Sequence, residues 1–125
     1  MSTVSPFAER IQDAFGRRSG VVRLVDELLV LCRQHGLRLE WQNGICQVGV
    51  GSPEPVESVE VTIPESVFRA LLARIASLCN DHAACSVSPY GGEGMLAADA
   101  GATSYCQIAF SNRPGDLWLT MSRCN

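Results

Sequence analysis

Twice in this chain an apolar pattern of helical period closes on Leu-Cys-x-x-His and gives way to residues that alternate with the period of a strand. The first instance is Leu31-Cys32-Arg33-Gln34-His35 and the second is Leu78-Cys79-Asn80-Asp81-His82. One element cannot satisfy periods of about 3.6 and 2.0 at once, so each instance marks a helix-to-strand boundary. Such a chain is built from two helix-then-strands units whose apolar faces must be buried together.

The first unit has a preface. Ser5-Pro6 offers a cap and a first helical position, Phe7, Ile11, Ala14 and Phe15 share a face, and Gly16 stops the pattern, which predicts a short helix. After a link through Arg17-Arg18-Ser19-Gly20, Leu24, Val25, Leu28, Leu31, Cys32 and His35 recur at helical spacing until Gly36. Leu37, Leu39 and Trp41 then alternate with Arg38, Glu40 and Gln42, Asn43-Gly44 is a strong hairpin signal, and Ile45 to Val50 returns. Beyond the breaker Gly51-Ser52-Pro53-Glu54-Pro55, Val59, Val61 and Ile63 predict a third strand.

The second unit opens with Pro64-Glu65, which suits a first helical turn, and a stripe of Val67, Phe68, Leu71, Leu72, Ile75, Leu78 and Cys79 follows. Strands are expected at Cys85 to Ser88, Met95 to Ala98, Tyr105 to Ser111 and Leu117 to Met121. Pro89-Tyr90-Gly91-Gly92, Ala100-Gly101 and Arg113-Pro114-Gly115-Asp116 read as the turns between them. The expected fold is α+β: two helix-then-strands units forming a two-layer domain, a mainly antiparallel sheet with its helices on one face. Residues 1–20 read as an N-terminal helix and link, and residues 21–125 as a single domain.

Charge narrows the function. A net charge of -3 with scattered basic residues gives no electrostatic footprint for nucleic acid. The stretch Val21 to Cys32 is broken by Arg23, Asp26 and Glu27, far short of the roughly 20 uninterrupted residues of a membrane span. The start Met1-Ser2-Thr3-Val4-Ser5-Pro6 lacks the pattern of a signal peptide. The expectation is a soluble, cytoplasmic protein whose six cysteines are reduced thiols.

Cys32, His35, Cys79, His82 and Cys85 are candidate metal ligands, since thiolate and imidazole suit a tetrahedral zinc shell. The competing reading has the cysteines packed in the core and the histidines capping two helix ends. No base stands beside any cysteine in the sequence to make it a nucleophile, and no catalytic residue or cofactor is expected. Gly91, Gly92 and Gly94 lack the lysine and hydroxyl residue of a phosphate loop and read as a hairpin. Glu54, Glu57 and Glu60 are expected to solvate a linker and an edge strand. Trp118 and Tyr105 fall on the sheet face opposite Leu117, Leu119 and Met121, a candidate partner surface unless Trp118 lies under the N-terminal helix.

The order of motifs resembles a known family. Val21-Val22-Arg23-Leu24-Val25-Asp26-Glu27-Leu28-Leu29, then Gly36 and Leu37-Arg38-Leu39-Glu40, is similar to the start of the domain preceding the motor in type II secretion and type IV pilus ATPases. Ile63-Pro64 with Leu71-Leu72-Ala73-Arg74-Ile75, Pro89 with its glycines, Tyr105 to Ala109 and Leu117 to Arg123 follow in the family's order. The resemblance implies a PAS-like α+β module that packs against a nucleotide-binding domain. Val87, Ser88, Glu93 and Gln107 stand where the family has basic residues near nucleotide, and no Walker motif occurs, so ATPase activity is not expected to carry over. A non-catalytic interaction or regulatory module remains, with a protein partner such as a secretion or pilus ATPase component. The alternatives are a small acidic dimeric chaperone of type III secretion and a metal- or small-ligand-binding sensor.

Overall fold

The computed structural model describes residues 6–16, 20–32, 36–51, 57–80, 87–97 and 105–124. Their elements, in chain order, are α1 (Pro6–Gly16), α2 (Val21–Cys32), β1 (Leu37–Gln42), β2 (Ile45–Val50), β3 (Glu57–Thr62), α3 (Glu65–Asn80), β4 (Gly91–Ala97), β5 (Tyr105–Arg113) and β6 (Asp116–Cys124). The strands make one sheet in the order β3-β2-β1-β6-β5-β4, and every pairing is antiparallel. Each unit is a meander, and the two are joined at the centre, where β1 pairs with β6. The chain must therefore pass from one edge, β3, to the other, β4, and α3 lies on that path. Its 16 residues span about 24 Å at ~1.5 Å each, which equals five strand spacings of ~4.8 Å.

Local chemistry sets the turns. Asn43 and Gly44 have φ of 54° and 84°, the paired positive values of a type I′ hairpin, so Gln42 meets Ile45 in register. At the β5–β6 turn Pro114 is followed by Gly115 with φ 78°, as a type II turn requires. Helix α2 starts on the Gly20 carbonyl, which accepts from Leu24 N at 3.2 Å, and α3 on the Pro64 carbonyl, which accepts from Val67 N and Phe68 N.

The core lies between the helices and one face of the sheet. Leu37, Leu39, Val48, Val59, Ile108, Phe110, Leu117, Leu119 and Met121 point inward from the strands, and Leu28 of α2 with Phe68, Leu71, Leu72 and Ile75 of α3 meet them in one cluster. Ile11 of α1 is fully buried in the same cluster, so the N-terminal helix belongs to the core. This is the two-layer α+β arrangement that the alternation predicts.

The region before β4 departs from expectation. Of the strand expected at Cys85 to Ser88, residues 87 and 88 are described: Val87 is in no strand, and Ser88 makes an isolated antiparallel bridge to Gly91. The reason is Asn80, whose amide donates to Val87 O at 3.2 Å while its Oδ1 accepts from Val87 N at 2.7 Å. Both backbone groups of Val87 are thereby satisfied by a side chain at the end of α3, which leaves none for a ladder. The tight turn shifts to residues 88–91: Gly91 N donates to Ser88 O, and Tyr90 N to Ser88 Oγ. Gly91 and Gly92, expected in the turn, instead pair with Ser111 and Phe110 as the first residues of β4. The expected Ala100-Gly101 turn lies outside the described residues.

Candidate functional site

Register decides which side chains share the face that the described helices leave open. On β6 these are Trp118, Thr120 and Ser122; on β1, Arg38 and Glu40; on β5, Tyr105, Gln107 and Ala109; on β2 and β3, Gln47 and Glu60. Trp118 stands opposite Glu40 on one side and Ser111 on the other. Next to it Thr120 pairs with Ala109, and these small side chains leave space beside the indole. Here begins an open groove of about 1050 Å³, lined on this face by Arg38, Glu40, Trp118 and Thr120 and reaching past Asp116 and the β1–β2 and β5–β6 turns to Trp41 and to Glu65 at the start of α3. Two smaller hollows, of about 270 and 240 Å³, continue across the same face around Gln47 and around Gln107.

Among the described residues three carboxylates and one guanidinium line the groove. Arg38 Nη2 lies 2.8 Å from Glu40 Oε1, but both side chains are half exposed or more, so the pair adds about 0–1 kcal/mol. Ser111 Oγ donates to Asp116 Oδ2 at 3.0 Å and holds that carboxylate at the mouth of the hairpin. Farther out, Gln47 Nε2 donates to Glu60 Oε1 at 3.1 Å, and Glu60 is exposed on the edge strand β3.

The two tryptophans serve different layers. Trp41 donates from Nε1 to Ile63 O at 2.9 Å and packs against the core, pinning β1 to the entry of α3. Trp118 is partly exposed on the open face, and α1, which packs against β3 and α2, does not cover it. Tyr105 shares that face but lies six residues along β5 from Ser111, the partner of Trp118, which places it about 20 Å away. The two predicted interaction residues are thus on one surface without forming one hot spot.

Of the metal candidates, Cys32 and Cys79 are fully buried in the core, while His35, His82 and Cys85 lie outside the described residues. The two cysteines face different strands. Cys106 Sγ on β5 donates to Cys32 Sγ at 3.1 Å, whereas Cys79 Sγ packs against Gly94 of β4, where an added Cβ would meet it at 3.2 Å. Hydrogen-bonded pairing with Cys106, which favours keeping the proton within the pair, and then burial hold the Cys32 thiol far above the ordinary thiol range, and burial pushes Cys46 up to about 12. Both stay protonated near neutral pH and are poor nucleophiles. Among the described residues no three of His, Cys, Asp and Glu are grouped to hold a metal. The Cys32–Cys106 contact was not foreseen; alternation along β5 points Cys106 inward, but nothing local says which helix it meets.

No protein-family model matches this chain, and no curated protein does. The open face is what the geometry singles out. Among the described residues no helix is long and apolar enough to cross a membrane.

Proposed function

We propose that the chain is a non-catalytic protein-interaction or regulatory module that makes its contacts through the open face of the sheet around Trp118. The supporting observation is a partly exposed tryptophan on the sheet face opposite the helices, set in a groove that reaches round the turn end of the sheet to Glu65 at the start of α3. Tryptophan is the residue most enriched at binding hot spots, and a groove supplies the rim that excludes water from it. The ordered resemblance over residues 21–123 makes the module a relative of the PAS-like domain before the motor of secretion and pilus ATPases. Its partner class is then a component of such a machine, met in the cytoplasm and without nucleotide chemistry of its own.

The test is capture from the cells that make the protein, comparing the parent chain with Trp118→Ala and with Asp26→Arg on the exposed side of α2. A discrete partner lost with Trp118→Ala and kept with Asp26→Arg supports the reading. The reverse pattern, or no partner at all, ends it.

The helix-then-strands order and the acidic charge also favour a second reading, a dimeric secretion chaperone. Sedimentation at micromolar concentration separates the two, because the chaperone requires a dimer.

A further inference from the structure

We propose that the groove beside Trp118 takes a cationic side chain of a basic, extended polypeptide segment. This rests on the open-face reading above and names the chemistry of the partner. Sign comes first: among the described residues Glu40, Glu65 and Asp116 line the groove against one guanidinium, Arg38, which leaves an excess of negative charge. An anionic ligand would meet an excess of carboxylate, and an apolar one would strip water from carboxylates without replacing it. A cation does neither.

The indole points the same way. Tryptophan is the best aromatic receptor for a guanidinium or ammonium group, and Trp118 is partly exposed where the wall is acidic. Its cross-strand neighbour is Glu40, and Cβ atoms in such pairs are ~5 Å apart, so a cation resting on the ring is within reach of Glu40 Oε2, while Arg38 holds Oε1. Shape agrees. Ala109, Gly115 and Thr120 put little bulk beside the ring, and the opening between two turns is wide enough for the flanking backbone of a peptide. The hollows around Gln47 and Gln107 continue on either side, as a segment longer than one residue needs.

The test uses three nonapeptides, composed of Arg/Gly/Ser, Glu/Gly/Ser and Leu/Gly/Ser. Each is titrated by calorimetry at low ionic strength into the full chain, into Trp118→Ala and into the double variant Glu40→Gln, Asp116→Asn, with circular dichroism confirming that all three fold alike. The arginine peptide alone is expected to bind, roughly tenfold or more weakly to each variant, and less well as salt is raised. Trp118-dependent binding of the leucine or glutamate peptide would overturn the cationic preference while leaving the open-face reading intact. Arginine-peptide binding that neither variant weakens would place the attraction elsewhere and overturn the site. Binding by none of the three also overturns the cationic groove, and the capture experiment then decides the open face separately.

Discussion

The sulfur atoms of Cys32 and Cys106 lie 3.1 Å apart in the core although 74 residues separate them in the chain. Cys32 ends α2 and Cys106 is the second residue of β5, so the contact joins the helix layer of the first unit to the sheet of the second. Cys32→Ala and Cys106→Ala are each expected to lower stability by about 1–2 kcal/mol in urea denaturation. The double variant should cost at least ~0.5 kcal/mol less than the sum, because each single change already breaks the shared contact. Strict additivity would mean that the two thiols do not act together.

Alkali should expose the buried thiols. Unfolded cysteine loses its proton near ~8.5, whereas folded Cys46 keeps it up to about 12 and Cys32 is also shifted upward. Above ~8.5 the folded state therefore binds more protons than the unfolded one, and stability falls as pH rises. It should be level below that point and then decline toward about 12 by ~1.4 kcal/mol per pH unit for each such thiol. The chain has no lysine to mask the effect. Urea midpoints from pH 7 to 11 measure the decline, and Cys46→Val should remove part of it.

Two glycines should respond oppositely to alanine. Gly91 has φ 147°, and a Cβ there would sit 2.8 Å from the Phe110 carbonyl oxygen, so the backbone must move. Gly91→Ala should cost about 2 kcal/mol or more. Gly16 ends α1 with open space around it, and Gly16→Ala should be neutral or stabilise by up to ~1 kcal/mol. Thermal denaturation of both variants checks the contrast.

Trp41→Phe keeps most of the apolar bulk but removes the bond to Ile63 O, which would leave that carbonyl to find another donor. The expected cost is about 1 kcal/mol. Protection of the amides at the start of α3 against hydrogen exchange should fall with it.

Much of this fold is written in local sequence. Asn43-Gly44 and Pro114-Gly115 demand particular φ values from their own residues, and the alternation of Leu117, Leu119 and Met121 with Trp118 and Thr120 separates core from open face without further information. What was not legible depends on partners distant in the chain or on side chains standing in for backbone. Asn80 occupies both hydrogen-bonding groups of Val87 and keeps that residue out of the strand expected there. Gly91 and Gly92 look like turn residues until β5 offers them a ladder. The same holds for the site: alternation finds Trp118 and Tyr105 on one face, but only the register places Glu40 beside Trp118 and Tyr105 far along the strand.

The open face is the proposed route of protein contact. Amine-directed reagents have no lysine to act on, so photo-cross-linking is the direct measurement. A benzophenone side chain is placed at Thr120 on the open face or at Asp26 on α2, in the cells that make the protein. A discrete adduct is expected from residue 120 that disappears when Trp118→Ala is added, and none from residue 26. Adducts from residue 26 alone, or adducts from residue 120 that persist without Trp118, would contradict that route.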